Sequence, residues 1–155
     1  MSQAAIGIHR QIRSSILAAV EGLSARQLHE IPAGFDNNIA WNVGHLLVVQ
    51  QRLLYRPSGL PISLAEEMIP LYLPNTSPAD WEAEPDAEEL VGMLMPQQEQ
   101  LEADYAAGVF SENGFSEFTT GSGVTLSNID GTLVFNTYHE AQHFGFIQAL
   151  INLVG

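Results

Sequence analysis

Ala5, Ile8, Ile12, Ile16, Ala19 and Leu23 recur at spacings of three and four, so the chain opens with a helix that must bury one face. The pattern runs from about residue 3 to 22, where Gly22 ends it. Asp36, Asn37 and Asn38 then supply capping side chains for a second helix over about 39 to 56. Pro57, Gly59 and Pro61 stop that helix. Pro70, Pro74, Pro78 and Pro85 make the next stretch a long crossover, with at most a short helix near 64 to 69. Pro85 suits the first turn of a third helix reaching about 107, with Asp86, Glu88 and Glu89 at its positive end. Pro96 predicts a kink near Met95, or two shorter helices. Residues 108 to 126 read as a glycine-rich loop anchored by Phe110, Phe115 and Phe118, with room for some extended structure. Ser127 and Asp130 then resemble a cap for the last and most apolar helix, over 129 to 154. Four substantial helices without strand alternation predict an all-α four-helix bundle, as one domain over 1–155. The long connections argue against simple up-down-up-down order.

Composition narrows the partners. Eighteen acidic residues against five arginines and no lysine give a formal charge of -13, which repels phosphate backbones and anionic lipid. Nucleic acid is therefore disfavoured as a partner, and so is a polybasic membrane anchor. No run approaches the roughly 18 apolar residues of a membrane span, and no secretory signal pattern opens the chain, so a cytoplasmic protein is expected. Cysteine is absent, which removes disulfides, thiolate ligands and a protein-borne thiol nucleophile. Any metal must use His, Asp or Glu.

Of five histidines, His139 and His143 stand four residues apart, one helical turn on one face and close enough to share an ion. That face also carries Thr132, Phe135, Phe146, Ile147 and Leu150, so both rings are expected in the middle of the apolar stripe. His45 shares its face of the second helix with Trp41, Val48 and Val49. Three inward imidazoles either find separate polar partners or hold one cation; as metal ligands they leave a coordination position open. Glu140 lies about 100 degrees around the helix from His139 and is a poor direct ligand. Gln142 or Asn136 would stand behind the ligands. His9 sits at the edge of the first helix's apolar face, with a core or surface role, and His29 reads as a loop residue.

Arg52 and Arg56 follow His45 by seven and eleven residues and return to its side of the helix. They are candidate substrate-binding residues, with Trp41. The guanidinium fork suits a substrate carboxylate, and the alternative is an ion pair with an acid of the third helix.

At these residues the chain resembles the DinB and YfiT-like superfamily of bacterial four-helix metalloproteins, over nearly its whole length. The resemblance is carried by Ile39-Ala40-Trp41-Asn42-Val43-Gly44-His45-Leu46, by His139-Glu140-Ala141-Gln142-His143-Phe144-Gly145, and by the Leu28 to Pro32 turn. It implies an up-down-down-up bundle, frequently dimeric, with a divalent metal on His45, His139 and His143. It also implies kinship with metal-dependent transferases or isomerases that use a low-molecular-weight thiol. Phe144, Gly145 and Phe146 replace the basic residue, glycine and glutamine that follow the last histidine in many relatives.

Two chemistries are open to a metal with a vacant position: activation of an exogenous thiol for attack on an electrophilic carbon, or hydrolysis by bound water. Three imidazoles suit zinc or nickel, with iron, copper or manganese as alternatives. The reading from a different class is a non-catalytic bundle stapled by its metal, or a small-molecule binding protein.

Overall fold

The computed structural model describes residues 2–111 and 114–155. It is mostly helical, with one two-stranded ribbon among the described residues. The α-helices are α1 (Ser2–Val20), α2 (Ala25–His29), α3 (Ile39–Gln50), α4 (Ala87–Ala106) and α5 (Ile129–Ile151). Strands β1 (Phe118–Thr119) and β2 (Thr125–Leu126) pair antiparallel, Phe118 opposite Leu126. No helix among the described residues is long and apolar enough to cross a membrane.

Several local expectations hold and several are corrected. Gly22 leaves α1 with φ 81°, which only glycine adopts without strain. The turn after it contains the short helix α2, begun by a reciprocal capping box between Ser24 and Gln27. His29 is consequently the last residue of a helix, not a loop residue. Asn38 caps α3, accepting from the Trp41 amide. The α-helical winding stops at Gln50: Gln51–Tyr55 form a π turn and Arg56–Ser58 a 3-10 turn, where regular helix is expected to 56. The crossover has 3-10 turns at Ile69–Tyr72 and Pro78–Asp80 instead of a helix near 64 to 69. Asp86 is the N-cap of α4, so Pro85 stands outside the helix. α4 is one helix through Pro96, not two. Pro96 and Gly92, whose carbonyl loses its amide partner, are both exposed, so the lost bond does not fall in the core. Asn128 caps α5 through the Gly131 amide; Ser127 does not.

α1 packs on α5 and α4, and α3 packs on α4 and α5. Residue numbers rise together along α1 and α5: Thr137 meets Ala5, Glu140 meets Arg13 and Arg26 meets the Gly155 carbonyl. They also rise together along α3 and α4, where Gln97 meets Leu47 and Asp104 meets Tyr55. Between the pairs the sense reverses, since Arg10 meets Glu102 while Arg13 meets Leu94, and Asn42 meets His143 while His45 meets His139. α3 is the innermost helix, buried around its whole circumference because α2 and the crossover also press on it.

The α1–α4–α5 contact is polar at its centre. Arg13 and Glu140 are both fully buried, and the guanidinium meets the carboxylate through Nη2 at 2.7 Å and through Nε at 3.1 Å. Arg13 also donates to the Leu94 carbonyl and the Gln97 amide oxygen of α4. His9 donates from Nδ1 to Gln98 and brings Nε2 within 2.8 Å of Glu140. Burial opposes the charge on Glu140, but Arg13 and His9 outweigh it and hold the carboxyl down at about 2. Removing Arg13 leaves the buried Glu140 carboxylate with His9 but without its guanidinium partner. Arg13→Met should therefore cost about 3–5 kcal/mol of stability, read as a shift in the urea unfolding midpoint.

Candidate metal centre

α3 brings His45, and α5 brings His139 and His143, to one place: a ligand nitrogen from each lies within 4.8 Å of the other two. His45 Nε2 and His139 Nε2 are 3.3 Å apart. Two nitrogens on one tetrahedral ion with bonds of 2.0–2.1 Å would be roughly 3.4 Å apart, so this pair has the spacing of two ligands, and the set of three could hold a divalent cation.

Two of the rings are aimed by neighbours. His45 Nδ1 donates to the Tyr72 carbonyl at 2.7 Å, which leaves its Nε2 lone pair facing the cluster. That carbonyl reaches α3 because Gly44 has no side chain: a Cβ there would lie 2.3 Å from the Tyr72 ring. His143 Nδ1 donates to Asn42 Oδ1 at 2.8 Å, and the Asn42 amide is oriented by its own donation to the Asn38 carbonyl. Trp41 stacks on the His45 ring at 4.7 Å between centroids. His139 Nδ1 is buried with no hydrogen-bond partner among the described residues.

Burial favours the neutral rings. It lowers His143 to about 3 and His139 to about 4, with the neighbouring imidazoles adding to both shifts. His45 is lowered as well, by burial first, with the Arg52 charge acting in the same direction and the Tyr72 carbonyl against it. Neutral nitrogens are what a cation requires.

The expected position of the histidine pair needs correction. Asn136 and Glu140, not the histidines, occupy the buried middle of α5 beside Thr132, Ile147 and Leu150. His139 and His143 are half-buried at its border, Phe135 is half-buried and Phe146 exposed. The cause is the Arg13–Glu140 pair, which turns a charged residue toward α1. The histidines thereby reach open space: His45 and His139 line a cavity of about 750 Å³ with Arg52, Arg56, Gln142 and the β1–β2 ribbon. A second hollow of about 500 Å³ is lined by Trp41, Asn42 and all three histidines.

Glu140 makes its contacts to Arg13 and His9, in keeping with its poor placement as a ligand. His9 is buried in the core. Asn136 faces His9, while Gln142 lines both hollows. Sequence reasoning missed Asn42 and the Tyr72 carbonyl. Asn42 precedes His45 by three residues, a same-face spacing that could have found it; the carbonyl left no trace in residue identity. Neither Arg52 nor Arg56 pairs with a described residue, so the expected ion pair with the third helix is not observed among them. The acid of α4 at that end, Asp104, takes the Tyr55 hydroxyl instead.

The DinB superfamily model matches residues 8–147, and the chain belongs to that superfamily. No curated protein matches the chain.

Two outcomes are expected of this geometry. Asn42→Ala should weaken metal binding by about 10–100-fold in calorimetric titration, since His143 loses its orienting acceptor. In metal-free protein the unfolded chain binds more protons than the folded one below the ordinary imidazole value of 6.5. Stability should thus fall as pH drops from about 6.5 toward 4 through His139 and toward 3 through His143, and further between 4.5 and about 2 through Glu140. Thermal melting across that range measures it.

Proposed function

We propose that this chain is a divalent-metal protein of the DinB superfamily, and that His45, His139 and His143 hold the metal as the reactive centre of an enzyme. The observation that carries the reading is three imidazole nitrogens within 4.8 Å of one another, beside a cavity of about 750 Å³. Three neutral ligands are one short of the four that close a structural zinc site. A divalent ion in such a site supplies Lewis acidity, lowering the pKa of a bound water or thiol and polarising a substrate oxygen.

The chain's own residues divide the remaining work. The Tyr72 carbonyl and Asn42 keep Nε2 of His45 and His143 turned inward. Arg52, Arg56 and Trp41 are the substrate-binding residues of this reading, at the cavity wall and behind His45. Since cysteine is absent, a sulfur nucleophile must arrive with a small thiol cosubstrate; hydrolysis is the alternative route. Zinc or nickel is the favoured ion on donor type, with iron, copper or manganese next.

The long helices take up-down-down-up order in this reading, supported by the rising and falling contact pairs along α1, α3, α4 and α5. The protein acts in the cytoplasm without nucleic-acid or membrane partners. A homodimer is favoured by the outer faces of α1 and α5, which expose Ile8 and Val134. The first 20 residues carry no acid at all, and residues 131 to 155 carry only the buried Glu140. In a chain of charge -13, that is the surface on which two copies repel least.

Elemental analysis and calorimetry on tag-free protein test the centre. One equivalent of metal per chain is expected, and His45→Ala should abolish stoichiometric binding while leaving a helical protein. Chelation should lower the melting temperature only modestly; a large fall would instead favour a stapling ion in a non-catalytic bundle.

A further inference from the structure

Three of the five arginines have anionic partners: Arg10 with Glu102, Arg13 with Glu140 and Arg26 with Glu30. The guanidinium groups of the other two, Arg52 and Arg56, have no ion pair or hydrogen bond to a described residue, and both residues line the 750 Å³ cavity that His45 and His139 share. Arg52 lies inside the π turn Gln51–Tyr55 and is half-buried; Arg56 follows directly and is exposed. Single π turns of this kind are frequent at functional sites. The rest of the lining is largely apolar, with Val49, Leu53, Pro74, Phe118, Phe135 and Tyr138 around the two cations.

We infer that this cavity binds a small organic monocarboxylate, its carboxylate on Arg52 and Arg56 and its apolar body against Phe118, Phe135 and Tyr138. A half-buried guanidinium among apolar walls is incompletely solvated, and a planar oxyanion matching its fork restores the lost hydrogen bonds. The apolar walls select against a bare hydrated anion such as sulfate or phosphate. The chain's charge of -13 opposes multiply charged ligands at long range, and Glu117 in the same lining penalises a second carboxylate. The far end of such a ligand lies toward His45 and His139. Only that last direction rests on the metal reading; capture of the carboxylate does not.

The test is calorimetric titration of 4-phenylbutyrate and its uncharged amide into the full chain, metal-loaded and chelated. The acid should bind about tenfold tighter than the amide or better, with or without metal, as a charged hydrogen-bonded contact requires. Arg52→Gln should weaken the acid by about tenfold and leave the amide unchanged, Arg56→Gln should act in the same sense, and Arg52→Lys should recover part of the loss. Melting curves on each variant confirm that it is folded. Equal affinity for acid and amide, or no binding of either at millimolar concentration, would overturn the inference. So would acid affinity that vanishes on chelation but survives both arginine substitutions, because the carboxylate would then belong to the metal. Metal binding that fails while the arginine-dependent selectivity persists sinks the proposed centre and leaves this site standing.

Discussion

The buried pairing of Arg13 with Glu140 sets the rotation of α5 about its own axis. A carboxylate in the core is tolerable only where a cation and further donors meet it, and Arg13 and His9 of α1 are both there. Arg13 extends the connection to α4 through Leu94 and Gln97, so one ion pair ties three helices. With Glu140 turned to α1, its neighbour His139 must leave the centre of the buried face and look toward α3 and the cavity. The polar core and the histidine cluster are two consequences of one helix orientation.

α3 depends on a different constraint, the close approach of the crossover. Gly44 admits the Tyr72 ring against the helix, and the Tyr72 carbonyl then takes the Nδ1 proton of His45. Asn42, held by Asn38, does the same for His143 across the helix interface. Asn38 in turn caps the helix that carries both Asn42 and His45, so one residue serves the start of α3 through its side chain and the aim of the site through its carbonyl. The π turn and the 3-10 turn at the other end of α3 deliver Arg52 and Arg56 to the cavity. α3 and the turns that continue it thus supply one histidine of the cluster, a partner for another, and the two cations at the cavity wall.

The α5 histidines open onto space because their face is the margin between packed helix and cavity. Half-burial there is enough to lower their basicity, while α3 brings a third ring against them. A site buried on all sides would be dry and closed; one on the outer surface would keep ordinary basic imidazoles. The observed margin combines neutral nitrogens with access for a small molecule.

Apolar spacing, capping side chains and helix-stopping prolines are local properties, and they sufficed for the four long helices and for setting His139 and His143 on one helix face. The same local signals carried the absence of a protein-borne thiol and the strongly acidic balance in which five arginines are the chain's basic side chains besides histidine. They could not place Glu140, because a carboxylate on an apolar helix is read as exposed until a cation from a helix 127 residues away is known to meet it. Nor could they find the Tyr72 carbonyl, since every residue carries a carbonyl and only packing against Gly44 brings this one to His45. The short α2 helix and the π turn escaped notice because competing windings of a few residues differ little in local energy. Sequence determined which segments coil and which side chains can bind a cation; tertiary structure decided where those side chains point, because that depends on contacts between residues far apart in the chain.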